Sequence, residues 1–449
     1  MRSDQPHVLR SWSYLPRYAS AQIPRYTSYP PANRFGPQVD CAQARAALEA
    51  LPGNATLSLY LHTPFCKKLC WYCGCHTSVP TVADPVQSYV DALVAEIGIV
   101  AKSVPSGARV TRIHFGGGSP DILLPSQITQ IFSAIHDGFR IDPTAEIAAE
   151  LDPRGLTAET AQAFRDGGLT RASLGVQVLD PGVQARINRI QTRDEIDDAI
   201  NILRKAGVGA LNIDTMYGLP GQTREHVVET ALFAATRNAD RVASFGYAHV
   251  PWMKRHQKGI SESDLPMGEE RFRQAEVAAV TLEGAGYVPI GFDHFATPAD
   301  PLVRAERTGQ LRRNFQGYTD DAATALIGFG ASAISSLPDL IYQNTPDTAA
   351  YRKLVTQDMP VVRGTSLSAE DLRIGRVIEQ ILCDFEATIP GDILIAACPS
   401  LTGMINDGLV QLSGTHLTVT SRGRPYVRNI ASCFDREFTA AAARHSIAV

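Results

Sequence analysis

Between residues 57 and 251, short apolar runs alternate with longer stretches whose apolar residues recur at helical spacing. The runs predict six strands: LSLYLH (57–62), RVTRIHFG (109–116), EIAAEL (146–151), RASLGVQ (171–177), ALNIDTM (210–216) and RVASFGY (241–247). Helices are predicted between them, for example over 85–102, 126–139 and 193–207. Strands that alternate with helices predict βαβ units and a parallel sheet. Because the first unit lacks a G-x-G-x-x-G loop, the pattern favours an α/β fold with a partial (β/α)6 TIM-like barrel over a dinucleotide-binding sheet.

The pattern changes on both sides of this region. Pro24, Pro30 and Pro31 hold their neighbours in extended conformations, so an N-terminal extended arm is predicted. After a further helix (269–286) and a strand, the stretches 292–298 and 312–321 are predicted as loops. From residue 365, a first helix (366–385) is followed by a second helix, a strand, a tight turn near Gly414, a second strand and a last helix. This order predicts a winged-helix-like α+β domain with a packing or lid role. We therefore expect an arm (1–55), a partial barrel (56–290), a barrel extension with substrate-side loops (291–364) and a C-terminal domain (365–449).

Composition narrows the class of protein. The 449 residues carry a formal net charge of −4, which gives no bulk attraction to nucleic acid or to a membrane surface. A membrane-spanning helix needs about eighteen consecutive apolar residues, and the sequence has no such run. The N-terminal stretch also lacks the apolar core of a secretory signal. We expect a cytoplasmic enzyme that binds neither nucleic acid nor membrane, and a monomer is the default.

The densest chemistry lies in YLHTPFCKKLCWYCGCH (60–76), which holds four of the eight cysteines. Cys66, Cys70 and Cys73 are spaced C-x3-C-x2-C, and three thiolates leave one iron of a four-iron cluster open for a non-protein ligand. A zinc site is the alternative, with Cys75 or His76 as the fourth ligand. Zinc-finger spacing is not matched, however, and the other four cysteines are scattered singly. The stretch therefore favours a catalytic iron–sulfur cluster.

Unusual polar and glycine residues follow each of the next five predicted strands. They are GGGSP (116–120), Glu150, Gln177, Asp214 and YAHVP (247–251). Because the carboxyl ends of parallel strands meet at one edge, we expect these residues and the cysteine loop to form one site. Taken singly, the glycine run is equally typical of a tight turn, and either carboxylate could be a partner in an ion pair.

A C-x3-C-x2-C motif after a strand resembles the radical S-adenosylmethionine superfamily. The fuller string, with an aromatic residue before the third cysteine and Cys75 two residues after it, resembles the oxygen-independent coproporphyrinogen III oxidases (coproporphyrinogen dehydrogenases). The stretches PRYTSYP (24–30) and RNFQGYT (313–319) strengthen that resemblance, which extends from Arg25 to Phe434. It implies oxidative decarboxylation of two propionate side chains of coproporphyrinogen III to vinyl groups, giving protoporphyrinogen IX in anaerobic haem biosynthesis.

The resemblance also implies the cofactors. One [4Fe–4S] cluster and two S-adenosylmethionine molecules are expected, and a 5′-deoxyadenosyl radical made at the cluster would attack the substrate. An external electron donor and an electron acceptor are needed as partners. No catalytic residue is assigned beyond the residues of the cluster and the cofactor. The implied ligands are Cys66, Cys70 and Cys73 for the cluster, Tyr60, Tyr72, Gly116, Glu150 and Ile334 for the first S-adenosylmethionine or the cluster side of it, and Gly117, Gly118, Gln177, Arg189, Asp214 and Ala248 for the second.

A substrate with four carboxylates should need cations. Arg25, Arg312 and Arg313 are candidates because they lie in loops flanked by aromatic residues. Lys67 and Lys68, in the cysteine loop, are expected to be solvated charges.

Two other readings stay open. A related haem chaperone or a haem-degrading methyltransferase would share the cluster motif, and His249 or His294 could then ligate haem. PRYTSYP, Cys75 and RNFQGYT favour the oxidase. A zinc-stabilised DNA-binding protein with a winged helix is disfavoured by the net charge and by the lack of a second cysteine pair.

Overall fold

The computed structural model describes residues 12–80 and 84–438, and one sheet of twelve strands dominates it. The six predicted strands form its parallel part, and each pairs with the next in sequence. The third begins at Arg140 rather than at Glu146, and the other ends agree within a residue. These strands are β1 (Thr56–Thr63), β2 (Arg109–Gly117), β3 (Arg140–Leu151), β4 (Arg171–Gln177), β5 (Ala210–Tyr217) and β6 (Arg241–Gly246).

Shorter strands extend this sheet at both ends. They are β7 (Val288–Ile290), β8 (His294–Ala296), β11 (Ala325–Phe329), β12 (Ile334–Ser336), β13 (Leu340–Asn344) and β14 (Val361–Ser366). β11 pairs in parallel with β1, so the segment expected as a barrel extension continues the same sheet. Both stretches predicted as loops contain short strands: β8 lies in one, and the hairpin of β9 (Arg312–Asn314) and β10 (Gly317–Thr319) lies in the other. That loop prediction was wrong because three-residue strands are too short to show an alternating pattern.

The helices that connect the strands cover the outer face of the sheet. On β1, Leu57, Leu59 and Leu61 are buried in the same apolar cluster as Val90 and Leu93 of the first connecting helix. Fully burying one such side chain contributes about 1.5–3 kcal/mol, so this layer fixes the sheet. The helices are α3 (Asp84–Ala101), α4 (Pro125–Gly138), α5 (Ala158–Asp166), α6 (Pro181–Arg186), α7 (Arg193–Lys205), α8 (Arg224–Thr236), α9 (Glu269–Gly284), α10 (Pro301–Arg307) and α11 (Thr348–Val355). Within the described residues, no helix is long and apolar enough to cross a membrane.

The N-terminal arm is not extended throughout, which corrects the prediction. It contains α1 (Pro16–Ala19) and α2 (Cys41–Glu49). Asp40 and Gln43 form a capping box at the start of α2, with hydrogen bonds of 3.0 and 3.1 Å. The prolines that indicated extension lie before this cap, and Pro24 O accepts a 3.2 Å hydrogen bond from Nε of Arg428. The arm is therefore fixed against the C-terminal segment.

The C-terminal segment has the predicted order of elements, with one additional strand. It comprises α12 (Ala369–Asp384), β15 (Glu386–Thr388), α13 (Gly391–Asn406), β16 (Val410–Ser413), β17 (His416–Val419) and α14 (Val427–Ser432). The three strands form an antiparallel sheet in the order β15-β17-β16, and Gly414 has a φ of 60° in the turn that joins the last two. Residues 1–11 and 439–449 of the predicted arm and C-terminal domain lie outside the described residues, and the domain boundaries stay a prediction.

Candidate active site at the carboxyl ends of the strands

A cavity of about 570 Å³ opens where β2 to β6 end, beside the cysteine loop. Binding pockets for small molecules span roughly 300–1,000 Å³, so this volume suits a ligand. A smaller cavity of about 190 Å³ lies inside the barrel, shares Glu150 and Asp214 with the first, and is lined by Tyr60. The predicted site residues that line the larger cavity are Cys66, Cys70, Tyr72, Cys73, Gly117, Gly118, Glu150, Gln177, Arg189, Asp214 and Ala248.

Two predicted site residues, Gly116 and Ile334, line neither of these cavities. A Cβ atom at Gly116 would lie 3.0 Å from Glu150 and from Tyr60, so the glycine lies directly behind those side chains. Ile334 begins β12, and its carbonyl oxygen would lie 2.5 Å from a Cβ atom at Gly328, which pairs with Tyr60. Gly116 therefore lies beside Tyr60, and Ile334 packs against the strand that pairs with it.

Each of the three predicted cluster cysteines has a polar partner. Sγ of Cys66 lies 3.1 Å from Oγ1 of Thr77 and 3.7 Å from Oγ of Ser119. Sγ of Cys73 accepts a 3.3 Å hydrogen bond from the backbone N–H of Cys75, and the Cys75 thiol adds a second, which lowers the pKa of Cys73 to about 7. Polar partners at the sulfurs favour thiolates, the form that ligates metal, but at Cys66 burial outweighs them and raises the pKa of the thiol.

The glycine run brings the end of β2 close to the cysteine loop. A Cβ atom at Gly118 would lie 2.3 Å from Phe65 O, and the Gly118 N–H donates to Thr63 O at 2.7 Å. Gly117 has a φ of 109°, and a Cβ atom there would lie 2.5 Å from the ring of His62. Side chains are therefore excluded at both positions, and the backbone itself forms this wall of the cavity.

Glu150, at the end of β3, is held by two donors. Its Oε1 accepts from Nε2 of His114 at 3.1 Å, and its Oε2 accepts from the Gly117 N–H at 3.3 Å. Burial alone would raise the pKa of Glu150, but the His114 hydrogen bond and charge outweigh it, so the pKa is lowered. Glu150 is thus a charged acceptor on the cavity wall. Its contact with His114 also agrees with the alternative interpretation, in which this carboxylate is a partner in an ion pair.

Asp214, on β5, is in the opposite electrostatic situation. It accepts from Oγ of Ser173 at 3.1 Å and from Nδ2 of Asn212 at 2.8 Å. Burial and the nearby charge of Glu150 raise the pKa of Asp214 to about 6. Its carboxylate is therefore held at an electrostatic cost, which hydroxyl donors of a ligand would reduce.

Gln177 ends β4 in a left-handed conformation with a φ of 66°, which is uncommon for a residue with a side chain. The pairing of β4 with β5 shifts register between Gly175 and Gln177. Bulges next to active sites redirect side chains, and here the bulge places Gln177 on the cavity wall.

Arg189 is buried, and the structure places it against the cysteine loop. Its Nη1 donates to Sγ of Cys70 at 3.4 Å and to Oδ2 of Asp152 at 3.2 Å, and its Nη2 donates to Gly175 O. Arg154 also donates to Cys70, at 3.5 Å, and pairs with Asp152. Burial alone would raise the pKa of Asp152, but the two arginines outweigh it and lower the pKa to about 2.

Three further residues that line the smaller cavity, His114, Ser173 and Asn212, were not predicted from the sequence. They lie two residues before Gly116, Gly175 and Asp214, respectively. Side chains at that spacing share one face of a strand. Polar residues on the inward face of a buried strand were the available signal.

Comparison with known proteins identifies the family. A model of the Radical SAM superfamily matches residues 60–234. The oxygen-independent coproporphyrinogen III oxidase of Bradyrhizobium diazoefficiens is 42% identical over 443 residues, which cover 96% of this chain and 98% of the relative. The chain belongs to the oxygen-independent coproporphyrinogen III oxidase family. The enzyme of that name from Synechocystis is 37% identical and covers 97% of both chains.

A solved structure agrees with this family assignment. The coproporphyrinogen III oxidase of Escherichia coli, described as a radical SAM enzyme, superposes with a TM-score of 0.88 at 35% identity. The match covers 93% of this chain and 100% of that one. The predicted family and α/β fold class are therefore confirmed.

Members of the superfamily use a [4Fe–4S] cluster and S-adenosylmethionine, and the cavity residues fit both. Within the described residues, no three His, Cys, Asp or Glu side chains group tightly enough for one metal ion. Cysteines of a cluster bind different irons, so they need not converge on one point, whereas a tetrahedral zinc ion requires that they do. Nε of Arg189 is buried without a hydrogen-bond partner, so the cavity wall keeps a donor for a ligand.

The candidate substrate cations separate in the structure. Arg25 lines the cavity, and its Nη2 donates to Gly246 O at 3.0 Å. Arg313 lies behind it, buried between Phe292 and Tyr318 and 3.6 Å from Asp293. Arg312 is exposed on β9 and does not line the cavity.

The two histidines considered as haem ligands already have partners. Nδ1 of His249 accepts from Tyr247 at 2.8 Å, and its Nε2 donates to Glu262 at 3.1 Å. His294 is buried and donates from Nδ1 to Asp293 at 2.7 Å. These contacts give both rings structural roles.

Proposed function

We propose that the protein converts two propionate side chains of coproporphyrinogen III to vinyl groups and yields protoporphyrinogen IX. For each side chain, one hydrogen atom leaves the β-carbon, the carboxyl group leaves as carbon dioxide, and one electron passes to an external acceptor. The main support is that three thiols, the Gly117–Gly118 backbone, Glu150 and Asp214 meet at one cavity. The chain also matches its relatives over nearly their whole length.

We assign Cys66, Cys70 and Cys73 to one [4Fe–4S] cluster. Two S-adenosylmethionine molecules would be divided between the Tyr60–Glu150 side and the Gln177–Asp214 side. When bound, these groups supply the radical that removes the hydrogen atom. Glu150 and Asp214 would accept hydrogen bonds from hydroxyl groups, and the glycine backbone allows close approach. The supporting observation is that both carboxylates line both cavities.

A cluster of arginines supports binding of a propionate beside the cavity. The side chain of Arg25 is exposed to the cavity, but protein surrounds its guanidinium group. The resulting desolvation lowers the pKa of Arg25. Burial and then the charge of Arg25 lower the pKa of Arg428 to about 9. Asp293 faces the same cluster, where Arg313 and His294 outweigh its burial and lower its pKa to about 2. A substrate carboxylate would relieve repulsion among these guanidinium groups.

The proposed reaction also requires redox partners and a reducing compartment. The cluster requires an external reductant, and the reaction requires an acceptor. Free cysteines around the site suit a reducing compartment such as the cytoplasm. We propose a monomer, which light scattering after size-exclusion chromatography would test.

One experiment tests the reaction. The cluster is reconstituted anaerobically, and S-adenosylmethionine, dithionite and coproporphyrinogen III are added. We expect a product with two vinyl groups by mass spectrometry, with loss of two carbon dioxide molecules. Haem transfer without decarboxylation would favour the chaperone reading, and a methylated, opened tetrapyrrole would favour the methyltransferase.

A further inference from the structure

Three segments near the cysteine loop carry bases and no acids. Residues 67–69, 186–190 and 252–258 contain no Asp or Glu, although the whole chain has a formal net charge of −4. We call these three segments the cluster-loop surface. Its accessible basic residues are Lys67, Lys68, Arg186, Lys254, Arg255 and Lys258, whereas Arg189 is buried and paired with Asp152.

Hydrogen bonds join the three segments to the loop that holds the cluster thiols. Nδ2 of Asn188 donates to Leu69 O at 2.9 Å. From the third segment, Lys254 donates to Cys75 O at 2.9 Å, His256 donates to Cys73 O at 2.8 Å, and Gln257 donates to Tyr72 O at 3.0 Å. The third segment therefore adjoins the part of the loop that carries Cys73.

The cluster-loop surface also exposes large apolar side chains. Ile190 is 59% exposed, Trp252 44% and Met253 67%. Aromatic residues and Met are enriched at the centres of protein interfaces, and neighbouring exposed apolar residues mark such sites.

The positive charge of this surface is only partly neutralised. Asp264 pairs with Arg186 at 2.7 Å, and Lys67 lies 3.8 Å from Asp121. Glu262, close to Asp264 in sequence, pairs with His249. Lys68, Arg255 and Lys258 are exposed and form no ion pair with another described residue, so the net charge of the surface is positive.

We propose that the cluster-loop surface docks an acidic one-electron carrier protein, which reduces the cluster. This inference rests on the proposed function, because only a redox cluster needs such a donor. The reduced carrier loses one electron, the oxidised cluster gains it, and no bond or proton moves. Opposite charges steer such encounters, and redox complexes bury small interfaces of less than about 1,200 Å², which matches three short segments.

The test measures binding of an acidic flavodoxin to the reconstituted holoenzyme, with the double variant Arg255→Glu and Lys258→Glu. We expect its affinity to fall at least about tenfold at low salt, with a smaller difference at higher salt because the charges are screened. The matched control, Lys205→Glu with Lys353→Glu, reverses the same charge on other exposed helices and should bind like the unmodified protein. Met253→Ser should weaken binding equally at both salt concentrations.

Reduction of the cluster provides a second readout, followed by its absorbance. Reduced flavodoxin should reduce the double variant more slowly, while dithionite should reduce all variants at one rate, which also shows that they are folded. Equal flavodoxin binding by both double variants would overturn the proposal, as would preference for cytochrome c, a basic carrier, for nucleic acid or for anionic vesicles. Failure to form the divinyl product with dithionite would instead contradict the proposed function.

Discussion

The guanidinium of Arg189 lies between a proposed cluster ligand and a carboxylate, with 3.4 Å from its Nη1 to Sγ of Cys70 and 3.2 Å to Oδ2 of Asp152. It also binds Gly175 O on β4. One side chain therefore connects the cysteine loop with the ends of β3 and β4. Displacement of Arg189 would change the position of the cluster relative to the cavity.

Arg189→Gln should destabilise the protein because it leaves Asp152 buried with Arg154 as its remaining cation. Breaking a buried pair costs about 3–5 kcal/mol, and Arg154 should hold the loss near the lower limit. Denaturant unfolding at pH 7 measures it. Asp152 has a folded pKa of about 2, so its contribution is present above its unfolded pKa and is lost as pH falls through 2. The control Arg186→Gln removes a pair exposed to solvent and should cost less than about 1 kcal/mol. Equal losses would contradict this role.

Gly118→Ala should abolish tight binding of S-adenosylmethionine because the new Cβ atom would lie 2.3 Å from Phe65 O and would displace the backbone. Equilibrium dialysis of the reconstituted protein measures the loss. Gly98→Ala is the matched control, since a Cβ atom in that part of α3 meets nothing within 4 Å. It should bind normally and gain up to about 1 kcal/mol of stability. Normal binding by Gly118→Ala would show that this backbone tolerates displacement.

The long strands and helices, and the polar residues at the carboxyl ends of the strands, could be predicted from the sequence because both depend on local patterns. Leu57, Leu59 and Leu61 mark a buried strand, and strand ends in a parallel sheet meet at one edge. The short β8, β9 and β10 have no such pattern. The capping box at Asp40 was overlooked because the prolines before it indicated an extended arm.

Contacts between distant residues were beyond reach for a different reason. Arg428 donates to the backbone of Pro24 across a sequence separation of 404 residues, and no local pattern encodes that approach. The burial of Arg189 is similar, because its position follows from the fold of the 186–190 segment onto the cysteine loop. Such juxtapositions arise only when the barrel, the arm and the C-terminal segment pack together.

Asp214→Asn should stabilise the protein without ligand and weaken binding of S-adenosylmethionine. The folded pKa of Asp214 is raised to about 6, so its ionisation lowers stability as pH rises from the unfolded pKa through 6. The gain in unfolding free energy should therefore be on the order of 1–2 kcal/mol at pH 8 and should shrink toward pH 5. Thermal unfolding across this pH range checks it. A gain that does not change with pH would show that Asp214 is uncharged at pH 8.

Cys75→Ser should retain the cluster, because Cys75 contacts Cys73 through its N–H and thiol and is not one of the three assigned ligands. Iron and sulfide per chain should equal those of the unmodified protein after reconstitution. Cys70→Ser, in the same loop, should lose most of both. Loss of iron in Cys75→Ser as well would assign it as a fourth ligand and would close the iron that must stay open.

Arg25→Gln should weaken substrate binding more than it slows the chemical step. Arg25 lines the cavity, where burial and then the charge of Arg313 lower its pKa, so an incoming propionate gains most from this cation. We expect KM for coproporphyrinogen III to rise at least about tenfold, as charge-assisted hydrogen bonds contribute about 1.5–3 kcal/mol. Arg312→Gln is the matched control, because Arg312 belongs to the same set of predicted cations but is exposed and lies outside the cavity. Its KM should be unchanged. Equal effects of the two substitutions would show that general attraction, rather than a site at Arg25, recognises the carboxylates.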